Sequence, residues 1–321
     1  MFSQVLKIAF SVAGSIIGAG FATGKELQLF FPLPDSRSLF YLSFSLGIMA
    51  IISVLYFSMQ KKSVPNRFQK GFELFFFLFS GASCLVMFAC GGETLKESFH
   101  LPLIVGNTVT YGLTLWIVSK GIKSVYRFNL IATPVLIVCI ILISLSGFSI
   151  PAGMFGEETQ PTLNMLVYTG YNLLSALPFL SAISDNTEEK HGFFGILVGY
   201  FLVLVCGLLL KSLLNLHHEA VLTAPLPLVK IVGMIHPLLS YLYTAMLYLS
   251  VLTTAVNSLY AVTRGKHTFS IGSVLLVFSF LGFTSLLESL YPVFGYFGIG
   301  IIILVIWDAY FDKSIRERKN L

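Results

Sequence analysis

Apolar stretches of about twenty residues recur from residue 5 to residue 311, with no polar domain between them. A helix needs roughly 20 apolar residues to cross the hydrocarbon core of a bilayer. Ten segments qualify: 5–31, 39–60, 68–95, 101–119, 125–147, 163–183, 192–215, 236–262, 269–287 and 291–311. The pattern predicts an all-α integral membrane protein with a single domain over residues 1–321, unable to fold in water. Only 11% of residues are charged, against roughly 25% in an ordinary soluble domain. The first run continues past Lys25 to Phe31 and only Lys7 precedes it. It therefore reads as a span, although the small residues Ala19 to Ala22 have the look of a leader-cleavage site.

Basic residues gather in alternate connectors: Lys61, Lys62, Arg67 and Lys70; Lys120, Lys123 and Arg127; Arg264 and Lys266; Lys313, Arg316, Arg318 and Lys319. Opposite connectors such as LPDSRS and FGEETQPT hold few. This bias predicts a multi-pass protein of the cell membrane with both termini cytoplasmic. No basic cluster interleaves with aromatics on a polar face, which argues against a nucleic-acid partner. The expected partners are the lipid bilayer and a small-molecule substrate. Residues 219–235 carry Pro225, Pro227 and Lys230. They read as a short amphipathic helix over the outer face, because an eleventh span would invert the charge bias downstream. Residues 150–162, with Glu157 and Glu158, read as an exposed outer loop. Cys84, Cys90, Cys139 and Cys206 lie in apolar runs without CxxC spacing, so they read as packing residues and not as a disulfide or zinc framework.

Ten spans divide into two fives, about 5–147 and 163–311, and an odd number per half makes the second half inverted. In transporters built this way the substrate sits where the first helix of each half is broken. Spans 1 and 6 are accordingly expected to break near mid-depth. Span 1 holds Gly14, Gly18, Gly20 and Gly24 around Ser15, Ile17, Ala19 and Phe21. Glycines weaken a helix, and freed carbonyls and amides bind cations and anions; the same spacing also fits a GxxxG packing face. Span 6 holds Tyr168-Thr169-Gly170-Tyr171-Asn172 and then Pro178, which breaks a backbone hydrogen bond. Span 8 holds Ser250, Thr253, Thr254 and Asn257, either back-bonded hydroxyls or hard oxygen ligands for a small cation. Lys25 and Glu26 are charges inside an apolar run, where each costs roughly 2.5–3.5 kcal/mol at mid-membrane. Gate, substrate-charge partner, proton relay and simple snorkelling all fit them. Glu93, Glu288 and Asp308 fall near span ends and read as solvated, and Tyr241, Tyr243, Trp116 and Trp307 read as interfacial or packing aromatics.

The stretch SIIGAGFATGKEL, Ser15 to Leu27, resembles the bacterial YkvI family of membrane proteins. More broadly the chain resembles the amino acid–polyamine–organocation superfamily, with its leucine-transporter fold, over nearly its whole length. That resemblance implies an unwound first helix at Ala13 to Gly20 and a break of the sixth helix at Tyr168 to Asn172. It also implies a sodium site from the carbonyls of Gly14, Ile17 and Ser250 with the hydroxyls of Thr253 and Thr254. The implied substrate residues are Ser15, Gly18, Ala19, Gly20, Phe21, Tyr168, Gly170, Tyr171 and Asn172, with the amides of Gly18 to Phe21 facing a carboxylate. Phe21 stands where sodium-coupled relatives often have asparagine, which counts against a second sodium next to the substrate. The Lys25–Glu26 pair has no counterpart in the superfamily pattern.

The expected function is secondary active transport of a small solute, an amino acid or related organic ion, coupled to Na⁺ or H⁺, with no organic cofactor and no catalysis. No GxxxxGK[ST] loop is present to power it by nucleotide hydrolysis. The rival from another class is a receptor on the same fold that binds a ligand without moving it.

Overall fold

The computed structural model describes residues 2–61, 69–145, 161–184 and 187–319, and these form helices and connections without a strand among them. The first apolar run becomes three helices, α1 (Phe2–Ile16), α2 (Ala19–Thr23) and α3 (Lys25–Phe30). Next come α4 (Ser36–Lys61), α5 (Gln69–Phe99), α6 (Leu103–Ser119) and α7 (Ile122–Leu145). The chain continues through α8 (Pro161–Ser184) and α9 (Glu189–Leu216) to two short helices, α10 (His218–Val221) and α11 (Pro227–Ile235). It ends with α12 (Pro237–Thr263), α13 (Thr268–Ser279) and α14 (Phe283–Lys319).

Among the described residues, five helices are individually long and apolar enough to cross a membrane: Ser36–Gln60, Leu74–Phe99, Glu189–Leu216, Pro237–Thr263 and Phe283–Trp307. Their outer faces carry large exposed apolar side chains, among them Phe40, Ile51, Leu74, Phe201, Leu238 and Ile303. So extensive an apolar exterior suits lipid and not water. The stretch 219–235 is not a span: α11 has 9 residues, less than half of what a crossing requires.

Two expectations about spans are corrected. Span 6 is not broken at Tyr168 to Asn172, because α8 runs without interruption from Pro161 to Ser184 and accommodates Pro178 inside the helix. Gly170 serves packing instead of flexibility: a Cβ there would overlap the Gly295 carbonyl and lie 2.7 Å from the Ile299 nitrogen. α8 and α14 thus cross backbone to backbone, as small residues permit in membranes. The boundary between spans 9 and 10 also moves. The chain turns at Gly282, with φ +94°, so residues 283–287 open α14 and do not close α13. Of the exposed loop expected at 150–162, residues 150–160 lie outside the described residues, as does the basic connector at 62–67, while residues 161 and 162 open α8.

Two sets of helices pack tightly within themselves. α1, α4, α8, α9 and α14 form one, with α1 laid along α9 and α8 along α14. α5, α6, α12 and α13 form the other, with α5 laid along α12. Close crossings again rest on glycine: a Cβ on Gly195 would lie 2.6 Å from the Ile8 side chain, and one on Gly199 2.8 Å from Val12. Buried hydroxyls and amides tie helices together, through Ser45–Thr169 and Ser53–Tyr200 at 2.7 Å each and Asn107–Ser279 at 2.9 Å. The short helix α2 touches α12 and joins the two sets where the first run is interrupted.

Candidate functional site at the interrupted first helix

The interruption begins where the Gly18 N–H turns to the Ile16 carbonyl at 2.8 Å. In an unbroken helix that amide would bond the carbonyl of Gly14, which is left without its usual donor. Gly18 is extended, with φ −95° and ψ −173°, and its carbonyl accepts from the Ala22 N–H at 3.0 Å to start α2. Ala19, Gly20 and Phe21 therefore occupy a helical first turn, where amides have no partner within the helix. Of the four glycines, Gly14 lies within α1 and Gly20 within α2; only Gly18 and Gly24 interrupt the run.

Gly24 makes a second bend. Its φ of +79° is left-handed, and a Cβ would come 2.9 Å from Leu228 of α11, so glycine is required on both counts. Thr23 braces the bend: its hydroxyl donates to the Gly20 carbonyl at 2.7 Å and accepts from the Lys25 N–H at 3.2 Å. The Tyr243 hydroxyl, from α12, donates to the Ala22 carbonyl at 2.5 Å. Tyr243 is fully buried, so of its two readings it is a packing aromatic, and its hydroxyl also supports the interrupted segment.

The bend points Lys25 and Glu26 in different directions. Lys25 Nζ pairs with Glu288 Oε1 of α14 at 3.5 Å, and the Glu288 side chain is 48% exposed. Glu288 is thus half-solvated and paired, not simply solvated. Glu26 is only 3% exposed, and its Oε1 accepts from the Asn172 amide of α8 at 3.3 Å. The other carboxylate oxygen faces the bare side of Gly20, 2.6 Å from where a Cβ would sit, and the Tyr291 hydroxyl lies 3.2 Å from that same point. Tyr291 stacks on Tyr171 with centroids 4.2 Å apart. Around them stand Phe79, 5.6 Å from Tyr171, and Phe30, 6.2 Å from Tyr171 and 5.4 Å from Tyr168.

The expected substrate residues divide on this geometry. Gly20, Tyr171 and Asn172 meet around Glu26, and Tyr168 packs beside them with its hydroxyl buried and without a hydrogen-bond partner among the described residues. Thr169 bonds Ser45 of α4, and Gly170 faces the backbone of α14, so neither turns toward Glu26. The Phe21 ring reaches instead toward Gly207 of α9, 3.4 Å from a Cβ placed there. Ser15 donates back to the Val12 carbonyl at 2.8 Å, and Ala19 is fully buried.

On the other side, Thr254 Oγ1 lies 3.4 Å from a Cβ position on Gly18, which brings α12 against the first interruption. The hydroxyls of Thr253 and Thr254 both donate to the Ser250 carbonyl, at 2.8 and 3.1 Å, the usual back-bonding of such residues in a helix. Ser250 Oγ is buried without a hydrogen-bond partner among the described residues. Ile17 is 2% exposed at the interruption itself. Among the described residues, no cluster of three His, Cys, Asp or Glu side chains could hold a metal ion.

Sequence reasoning missed three contributors, Tyr291, Tyr243 and Phe79. Each is an aromatic in an apolar run, and nothing local distinguishes it from lipid-facing aromatics. Glu93 was also misread: it is 6% exposed and pairs with Lys96 at 3.0 Å. Lys211 is likewise buried, 1% exposed inside α9.

No family model matches the chain. It is 22% identical over 355 residues to the uncharacterized membrane protein YkvI of Bacillus subtilis (strain 168), covering 98% of this chain and 97% of that protein. It is also 22% identical over 330 residues to the uncharacterized protein YyaD of the same organism, covering 94% of this chain and 96% of that one. Among solved structures, the inward-facing conformation of Mhp1 superposes with a TM-score of 0.61, at 14% identity, over 92% of this chain and 75% of that one. The chain is accordingly a helical membrane protein with an Mhp1-like fold.

Proposed function

We propose that the chain is a secondary active transporter of the cell membrane, with its solute site at the interruption of the first span. The observation that carries this reading is the convergence of α8, α12 and α14 on an interrupted helix whose bends fall at Gly18 and Gly24. A packing face alone would have no use for a buried carboxylate or for a carbonyl stripped of its amide. The arrangement suits a ligand that supplies what the backbone and Glu26 lack. An Mhp1-like fold, known in an inward-facing form, supports a cycle in which the site opens to one side at a time.

In this reading ten spans form an inverted repeat of five and five. The first half comprises α1–α3 as one span, then α4, α5, α6 and α7; the second comprises α8, α9, α12, α13 and α14. α10 and α11 cover the outer face, and both termini are cytoplasmic. The solute is a small organic ion such as an amino acid or a relative of one. Gly20, Tyr171 and Asn172 would border it, Gly18 and Ala19 would approach it by backbone, and the Lys25–Glu288 pair would close the outer side. Sodium would be held by the carbonyls of Gly14, Ile17 and Ser250 with the hydroxyls of Thr253 and Thr254. Those hydroxyls can accept an ion while still donating to the Ser250 carbonyl, since each oxygen keeps lone pairs. A second reading, coupling to protons, is favoured by Glu26, a buried carboxylate whose side-chain hydrogen-bond partner among the described residues is a neutral amide.

The test is flux in proteoliposomes across a panel of amino acids, amines and organic acids, with imposed gradients of Na⁺ or of H⁺. Concentrative uptake driven by one of the gradients supports the reading. Saturable binding of a panel compound without flux would replace it with a receptor.

A further inference from the structure

We infer that a groove between α5 and α12, far from the interrupted helix in sequence and chemistry, seats an anionic phospholipid, with an acyl chain between the helices and the phosphate on Arg264. From the proposed function it takes only the cytoplasmic placing of this end. The two helices pair antiparallel, through Ser98–Thr244 at 2.8 Å and Ser83–Ser258 at 3.2 Å. Nearer the Arg264 end, a Cβ on Gly81 would still lie 4.0 Å from Val262. There a half-open groove of about 690 Å³ lies between them, with Leu74, Phe76 and Phe77 on one wall, Tyr260 on the other and Arg264 just past the end of α12. Leu74 is 59% and Phe77 47% exposed, so this face meets the bilayer.

The walls favour a chain over a partner helix. Helices meet in membranes through small residues that let backbones approach. The lining here is leucine, phenylalanine, tyrosine and valine around a single alanine, Ala261. Such walls leave no strip for a helix, whereas an acyl chain bends to follow them.

The end of the groove supplies the charge. Arg264 is exposed at its lip, and its side chain has no hydrogen bond or ion pair among the described residues; the same holds for exposed Lys266. No Asp or Glu lines the groove. The Tyr260 ring lies 3.9 Å from a Cβ position on Gly265, so the apolar wall runs up to the basic turn. An apolar channel ending on unpaired cations divides as a phospholipid does. A guanidinium matches phosphate with two parallel hydrogen bonds, and anionic lipids of the cytoplasmic leaflet attract such residues. Retention of the loop in the cytoplasm accounts for basic residues there, but it asks for no groove beside them. Free phosphate would meet the cations and make no use of the rings.

The experiment measures the melting temperature of the purified full-length protein in detergent micelles, since what binds only the folded state raises it. The probes are dioleoyl phosphatidylglycerol, dioleoyl phosphatidylcholine and inorganic phosphate. Phosphatidylglycerol is expected to stabilise at concentrations where the other two do not. Arg264→Gln and Lys266→Gln should each raise the phosphatidylglycerol concentration required about fivefold, the worth of one basic residue at an anionic surface. Ala261→Trp fills the groove, keeps both cations and should remove the response. If it does not fold, Ala261→Leu carries that arm. Lys120→Gln is the control: Lys120 lies over the Trp116 ring at the end of α6, and its loss should leave the response unchanged.

Equal stabilisation by the two lipids overturns the inference, as does a phosphatidylglycerol response unchanged in either Arg264→Gln or the folded Ala261 variant. A loss in Lys120→Gln as large as in Arg264→Gln means attraction to the charged surface at large, which also overturns it. Equal stabilisation by inorganic phosphate replaces the lipid with a free anion. The readout is lipid binding and not flux, so failure here leaves the solute site standing, and failure of the solute site leaves the lipid groove.

Discussion

Gly170→Ala tests whether α8 is a packed, continuous helix or the hinge that its sequence suggests. The added methyl would overlap the Gly295 carbonyl, lie 2.7 Å from the Ile299 nitrogen and 2.9 Å from the Gly298 carbonyl carbon, against 3.4 Å or more in an ordinary contact. These are backbone atoms of α14 and cannot swing aside, so the two helices must separate along their crossing. Forcing extra atoms into a well-packed contact typically costs about 1–3 kcal/mol, and loss of the close crossing places this case toward the upper end. Gly47→Ala and Gly300→Ala are the controls, because a Cβ at either meets nothing within 4 Å. In them only helix preference acts, stabilising by up to about 1 kcal/mol on the aqueous scale. The assay is the unfolding midpoint of the three variants in one detergent, followed by circular dichroism. If Gly170→Ala is as stable as its two controls, the glycine is not at a tight crossing and the packing argument fails.

Three further outcomes follow from named contacts. Thr254→Val keeps the shape at Gly18 and removes an oxygen, so it should weaken Na⁺-stimulated uptake more than Na⁺-independent binding. Thr253→Val should act alike, and the double variant should lose less than the sum of the two, because they share one ion. Full Na⁺ stimulation in the double variant removes this sodium site. Lys25→Gln and Glu288→Gln should show a coupling of about 0.2–1 kcal/mol in a double-mutant stability cycle, small because Glu288 is half-exposed. Strict additivity would mean that the pair does not form. Tyr243→Phe leaves the Ala22 carbonyl without its side-chain donor and should destabilise by about 1–3 kcal/mol; an unchanged melting temperature contradicts the role given to Tyr243.

Hydropathy made much of the architecture readable, because every crossing repeats the same demand for apolar length. The runs at 39–60 and 192–215 correspond to α4 and α9 with little adjustment. The interruption near Gly18 was also readable, since four glycines in eleven residues announce a weak helix. Which of them break it was not. Gly24 is fixed by its left-handed backbone and by Leu228 and Leu214, residues about two hundred positions away. The same blindness produced the error at Gly170: a hinge glycine and a crossing glycine look alike until Gly295 and Gly298 are seen beside it. Glu288 looked like a surface residue because it lies near the end of an apolar run, and its partner Lys25 lies at the far end of the sequence. Tyr171 and Asn172 stand out in the sequence through the polar cluster they form, and the fold sets them beside Glu26 and Tyr291. Tyr291 had no such local signal, and only the fold sets it against Gly20 and Tyr171.

The central claim, that solute passes through a site at the interrupted first helix, is tested most directly by the initial rate of uptake in proteoliposomes containing Gly20→Leu, with Gly47→Leu as the control. A Cβ at residue 20 would lie 2.6 Å from Glu26 Oε2 and 3.2 Å from Tyr291 and so displace them, whereas a Cβ at residue 47 meets nothing within 4 Å. The expected result is uptake abolished in Gly20→Leu and near wild-type in Gly47→Leu, with both proteins folded and inserted at equal amounts. Wild-type uptake by a folded Gly20→Leu protein would place the pathway elsewhere and contradict the account.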